Sequence, residues 1–220
     1  MSASETHANS VRQLRLDFHD EHQYTCANYA LTTNYRQDER QLNFTFSGVT
    51  KPNGICLTST GPATSSVDIS GLAAGTYTLQ LKVGNKSTTG VLELEDAYLN
   101  LRSSDPDVVD VATPELWFQP PHIIWGYATT MLPATQASVR VLRDSLRLLG
   151  ATPLTLTPGT YPQFTIAANG LPQPPQVSAG TRALLLLANY QGSAERIQAF
   201  VRRANAATPG LNLWLNTSGI

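Results

Sequence analysis

Residues 75–84, Gly-Thr-Tyr-Thr-Leu-Gln-Leu-Lys-Val-Gly, put Tyr77, Leu79, Leu81 and Val83 on one side of an extended chain. Thr76, Thr78, Gln80 and Lys82 fall on the other side. Successive side chains of a strand point to opposite faces, so this stretch reads as a β-strand with one buried and one wet face. The pattern recurs on both sides of it. Upstream, Leu42, Phe44 and Phe46 alternate with Asn43, Thr45 and Ser47; downstream, Leu92 and Leu94 alternate with Glu93 and Glu95. Pro52-Asn-Gly, Gly61-Pro and Gly84-Asn supply turn punctuation. Seven strands are expected, over 11–18, 24–35, 41–49, 54–59, 66–70, 76–83 and 90–101. Their spacing of about ten residues points to an antiparallel β-sandwich.

The stretches Tyr24-Thr-Cys, Ile55-Cys-Leu-Thr, residues 71–85 (GLAAGTYTLQLKVGN) and Leu92-Glu-Leu together resemble the Ig-like β-sandwich modules of bacterial surface and envelope proteins. The resemblance spans about residues 11–101. It implies an all-β Ig-like sandwich domain over 11–102, in which the Gly-x-Tyr-x-Leu-x-Leu run is a late core strand. It carries over no catalytic residue.

Residues 103–121 (SSDPDVVDVATPELWFQPP) hold four prolines and four acids without a base, and read as a semi-rigid inter-domain linker. Within it, Trp117 and Phe118 are large enough to dock the segment onto a domain. From 122 the periodicity changes. His122 opens a buried strand. Val139, Leu142, Leu146 and Leu149 then form a helical stripe over 134–149. Pro133 precedes this helix, Thr135 can cap its start, and Gly150 can supply the residue that ends it. Strand material follows at 154–157 and 163–167, and residues 182–189 form an apolar run of the kind a central strand shows. A second helix capped by Ser193 carries Ile197, Phe200, Val201 and Ala204, and residues 211–215 form a last strand. The order strand, helix, strand, strand, helix, strand resembles the ferredoxin-like βαββαβ plan, giving an α+β domain over 122–220.

The 220 residues are 41% hydrophobic and 14% charged, with a formal net charge of −1. Such a chain buries a substantial core and is no nucleic-acid polycation; nor does any apolar run approach membrane-spanning length. Cys26 and Cys56 are the two cysteines, and the even count suits an oxidising compartment. They read as one disulfide linking two strands, with two buried free thiols as the alternative. Residues 1–10 are too polar for a signal peptide. Either the protein is cytoplasmic, or it is secreted or held in the cell envelope after removal of an export signal; the composition favours the second.

Asp17, His19, Asp20, Glu21 and His22 form the densest polar cluster, but their spacing matches no metal motif, and a solvated connection accounts for them. No Gly-x-Ser-x-Gly elbow occurs, and His122 stands alone in its half, best read as a buried or hydrogen-bonded strand-start residue. Gln191-Gly-Ser lies where a strand meets a helix, but without a phosphate-loop glycine pattern or lysine an ordinary cap is the simpler reading. Trp117, Trp125 and Trp214 raise sugar stacking, although the last two fall in strands and read as packing. No catalytic residue, metal site or cofactor is expected.

Charge segregation is the sharpest functional signal. Residues 116–220 hold seven arginines, no lysine and two acids, a formal charge of +5. Arg140, Arg143 and Arg147 flank the stripe of the first helix, and Arg196, Arg202 and Arg203 lie off the stripe of the second. Guanidinium forks suit carboxylate, phosphate or sulfate, so these six mark a docking face for an anionic partner, against the plainer reading of a solvated helical face. The expected function is a non-enzymatic extracytoplasmic binding or assembly module that docks another protein or an anionic polysaccharide. The alternatives are a protease inhibitor or pro-domain-like protein, and an enzyme with its site at the domain junction.

Overall fold

In the computed structural model the chain is mostly β, 49% strand and 11% helix. It divides into two compact units, Met1–Phe118 and Gln119–Ile220. The structure describes all residues but 9–10, 55, 57–58, 131–135, 174–175, 177–179 and 219–220, and of 7–8, 11–12, 136–140 and 182 the backbone alone. Pro133 and Thr135, the expected start of the first helix, therefore lie outside the described residues, as do the side chains of Val139 and Arg140.

The first unit is one sheet of nine strands: β1 (Ser2–Ala8), β2 (Val11–His19), β3 (Ala30–Asp38), β4 (Gln41–Thr50), β5 (Thr64–Ile69), β6 (Gly75–Val83), β7 (Lys86–Leu94), β8 (Tyr98–Ser103) and β9 (Glu115–Trp117). Their order across the sheet is β1-β2-β5-β3-β4-β6-β7-β8-β9. β4 and β6 pair in parallel, with Phe44 opposite Leu81, and a single parallel bridge, Ala30 to Thr64, joins β3 to β5. These links make one continuous sheet, curled into a nearly closed barrel. Its inward residues, among them Leu16, Phe44, Leu79, Leu92, Leu101 and Leu116, form one core cluster drawn from eight of the nine strands' neighbourhoods and capped by Phe118.

The Ig-like sandwich is thereby corrected. Period-two alternation shows that one face of each strand is buried, but the face of a second sheet and the far wall of a curled sheet bury it equally well. The strands themselves also differ from expectation. Polar Ser2–Ala8 forms an edge strand antiparallel to β2. The expected run 90–101 is interrupted by a turn at Glu95, whose N–H donates to the Tyr98 carbonyl, and so belongs to two strands. Of 24–29, only Tyr24 makes a ladder contact, an isolated bridge to Gly61. Residues 55, 57 and 58 of the expected 54–59 strand lie outside the described residues. Glu115–Trp117, expected in the linker, pairs with β8, and Trp117 packs on Tyr98 with ring centroids 4.9 Å apart.

Cys26 and Cys56 are disulfide-bonded with their Cα atoms 5.4 Å apart. The bond staples the β2–β3 connection to the β4–β5 connection, rather than strand to strand. The same two loops share hydrogen bonds in both directions between Tyr24 and Gly61, and Tyr24 stacks on Tyr29 at 4.6 Å.

The second unit has a sheet ordered β11-β14-β10-β15, built from β10 (Ile123–Thr130), β11 (Thr152–Pro153), β14 (Arg182–Asn189) and β15 (Leu211–Asn216), with every pairing antiparallel. A separate ladder joins β12 (Gly159–Thr160) to β13 (Thr165–Ile166). The helices are α1 (Gln136–Leu148) and α2 (Ala194–Ala207). The sequence of elements is thus β-α-β-β-β-β-α-β instead of the expected ferredoxin-like βαββαβ: the second strand shrinks to two residues, and an extra ladder precedes β14. Prolines 153, 158 and 162 explain this, because each removes a ladder donor and breaks the strand-forming pattern of 152–167.

Leu142 and Leu146 of α1 and Ile197 and Phe200 of α2 bury themselves in one cluster with Ile124, Ala128, Leu186, Leu213 and Leu215 of the sheet. Both helices therefore cover the same sheet face. α1 ends in a Schellman arrangement: the Gly150 N–H donates to the Arg147 carbonyl, the Ala151 N–H to that of Leu146, and Gly150 takes φ 98°. Gly126 in β10 is needed for a different reason. A Cβ there would lie 2.2 Å from the Trp214 carbonyl oxygen.

Candidate functional site

The 3.6-residue period of α1 places Arg143 and Arg147 one turn apart beside the buried Leu142 and Leu146. Both residues line a cleft of about 200 Å³. Its apolar walls come from Leu146 on α1, Leu185 and Leu187 on β14, and Leu154 and Leu171 from the segment between β11 and β14. Arg147 Nη1 stands 3.7 Å from Asp144 Oδ1, with both side chains mostly exposed. A pair so long and so solvated is worth little and leaves the guanidinium free to take another carboxylate. Arg143 is exposed and makes no ion pair with a described carboxylate. The outer face of α1 also carries Val141 (62% exposed) and Leu148 (88%), two turns apart.

Arg196, Arg202 and Arg203 are exposed on α2, and none lines the cleft. The structure thus gathers Arg143 and Arg147 out of the six expected residues, while the side chain of Arg140 lies outside the described ones. The start of α2 is already occupied by its own carboxylate. Ser193 is the N-cap residue but makes no capping hydrogen bond with its side chain. Glu195 instead accepts from its own backbone N–H and from the Ser193 hydroxyl, which holds its carboxyl below the usual range.

Of the polar cluster of 17–22, Asp17 is turned to its sheet neighbours, while His19, Asp20, Glu21 and His22 line one cavity. Asp17 accepts from the Ser66 and Ser4 hydroxyls at 2.6 and 3.2 Å. Asp20 fastens its loop, taking the Tyr24 hydroxyl at 2.7 Å and the Ala63 N–H at 3.0 Å. That hydrogen bond holds the Tyr24 hydroxyl above its ordinary pKa. His19, Glu21 and His22 are exposed. Among the described residues, no three of His, Cys, Asp and Glu are placed to share a metal ion. His122 is exposed instead of buried, at φ 59°, and its carbonyl accepts from the Tyr190 N–H at 2.7 Å. Trp125 packs against Phe164 and Trp214 at 4.7 and 5.1 Å, on the sheet face away from the helices.

Helical spacing marks the two arginines in the sequence, but nothing there marks the apolar residues that share their cleft. Leu154 and Leu171 lie in irregular backbone, where no periodicity marks which way a side chain faces. No family model, no curated protein and no solved structure matches this chain. Among the described residues, no helix is long and apolar enough to cross a membrane.

Proposed function

We propose that the protein is a non-enzymatic binding module of an extracytoplasmic compartment, whose second unit docks an acidic segment of another protein. The reading is carried by one observation: Arg143 and Arg147 line a largely apolar cleft, and neither is held by a close carboxylate. A guanidinium beside an apolar wall suits a partner that offers a carboxylate next to an aliphatic or aromatic group, as an acidic peptide does. An anionic polysaccharide offers charge without that apolar complement. The extracytoplasmic assignment is supported by the Cys26–Cys56 disulfide, because such bonds persist where thiols are not kept reduced.

The test is fluorescence anisotropy with a labelled leucine–aspartate peptide, and with heparin as the polysaccharide probe, at 0.1 M and 1 M salt. Salt shortens the Debye length from about 10 Å to about 3 Å over that range, so the electrostatic part of binding fades while the apolar part remains. The peptide is expected to bind more tightly than heparin and to keep part of its affinity at 1 M. Arg143→Lys with Arg147→Lys should weaken it although charge is kept, because the planar fork is lost. Heparin binding that is tighter than peptide binding and disappears at 1 M would replace the protein partner with a polymer. No binding of either would remove the docking reading.

A further inference from the structure

A cavity of about 490 Å³ lies in the first unit, at one end of the barrel. Small-molecule sites occupy roughly 300–1,000 Å³ and favour barrel mouths. Phe18 lies next to the end of β2, Phe46 late in β4, Val83 at the end of β6 and Leu31 second in β3, and together these form the apolar wall. Val109, from the segment between β8 and β9, packs on the barrel core and closes one side. Val83 nevertheless stays 40% exposed, so apolar surface is left facing the opening.

The rim is acidic. Asp20, Glu21, Asp107 and Asp110 line it, against Lys86, the Met1 amine and the two histidines 19 and 22. Asp20 is committed to Tyr24 and Ala63. The Met1 amine donates to the Asp110 carbonyl at 2.6 Å, and partial burial lowers its pKa. Glu21 and Asp107 are exposed and in no described ion pair. The loop that supplies Asp20, Glu21 and His22 continues to Cys26, where the disulfide anchors it, so this part of the wall is set before any ligand arrives.

We infer that the barrel mouth of the first unit binds an amphiphilic organic cation, its apolar body against Phe18, Phe46 and Val83 and its charged head at the rim beside Glu21 and Asp107. This site is separate in residues and opposite in charge preference from the arginine cleft, and does not depend on that reading.

The experiment is isothermal titration of the full chain, disulfide intact, with octyltrimethylammonium and with octanoate, both below their micelle concentrations. The two probes share a chain length and differ in the sign of the head. One site is expected for the cation, with at least ten-fold weaker binding of octanoate. Glu21→Gln with Asp107→Asn should narrow that gap to about two-fold. Val83→Lys changes an exposed residue and puts a cation on the wall, so it should abolish cation binding while leaving the melting curve in place. Arg143→Gln with Arg147→Gln should leave the titration unchanged. Equal binding of the two probes, no saturable binding of the cation up to millimolar concentration, or binding unaltered by Val83→Lys would overturn the inference.

Discussion

Replacing both cysteines, Cys26→Ser with Cys56→Ser, removes a cross-link between positions 30 residues apart. In the chain-entropy model, opening a loop of that length costs about 3.6 kcal/mol at 25 °C, through the freedom restored to the unfolded chain. The native loops have reasons to stay in place. The Tyr24–Gly61 pair of hydrogen bonds at 2.8 and 3.2 Å and the bond from the Ala63 N–H to Asp20 tie the same two connections. The loss should therefore act on the unfolded state, with little change in the folded one. Cys26 is buried, so a serine hydroxyl there adds a desolvation cost of about 1 kcal/mol. The assay is native-state amide hydrogen exchange resolved by residue, across a guanidinium series. The slowest amides of the first unit, such as those of Leu16 and Leu79, should lose about 3–5 kcal/mol of protection. The denaturant slope should rise as the unlinked chain exposes more surface. A loss under about 1 kcal/mol with an unchanged slope would refute the reasoning, because the loops would then be no freer without the bond than with it.

Three further outcomes follow from single residues. Leu79→Ala empties a fully buried position in the barrel core and should cost about 2–5 kcal/mol by chemical denaturation, with the first unit's amides losing protection. Gly126→Ala drives a methyl group into the Trp214 carbonyl oxygen; the expected result is loss of amide protection along β15, and an unchanged β10–β15 ladder would contradict it. Asp68 receives a two-pronged hydrogen bond from Arg15 at 2.7 and 2.8 Å, which holds its carboxyl below the usual value. Its folded pKa is thus depressed, so the contribution is present above about pH 4 and lost as the pH falls through the lower folded value. Asp68→Asn should be slightly less stable than wild type at pH 6, with the gap closing toward pH 2; the pair is exposed, so the gap is small.

The alternating runs at 41–48 and 75–83 were legible as strands because period two is a local property of the chain. The curl of their sheet was not, since Phe44 pairs with Leu81 across a parallel β4–β6 ladder that no local pattern encodes. Ser2–Ala8 was invisible for a related reason: its inward residue is the small Ala3, too weak to mark a strand. In the second unit, helical spacing put Arg143 and Arg147 on one side of α1. The apolar residues that share their cleft, Leu154 and Leu171, come from a proline-interrupted segment whose path only the folded chain reveals.

Under the proposal, a partner recognises Arg143 and Arg147 with the cleft they line, and not the general positive charge of the second unit. Two variants with charge removed from different helices separate these most directly: Arg143→Gln with Arg147→Gln on α1, and Arg196→Gln, Arg202→Gln and Arg203→Gln on α2. Affinity for the labelled leucine–aspartate peptide is measured by anisotropy at 0.1 M salt. The α1 pair is expected to weaken binding at least ten-fold, while the α2 triple, which removes more charge, weakens it less than three-fold. A loss that tracks the number of charges removed, larger for the α2 triple than for the α1 pair, would contradict it.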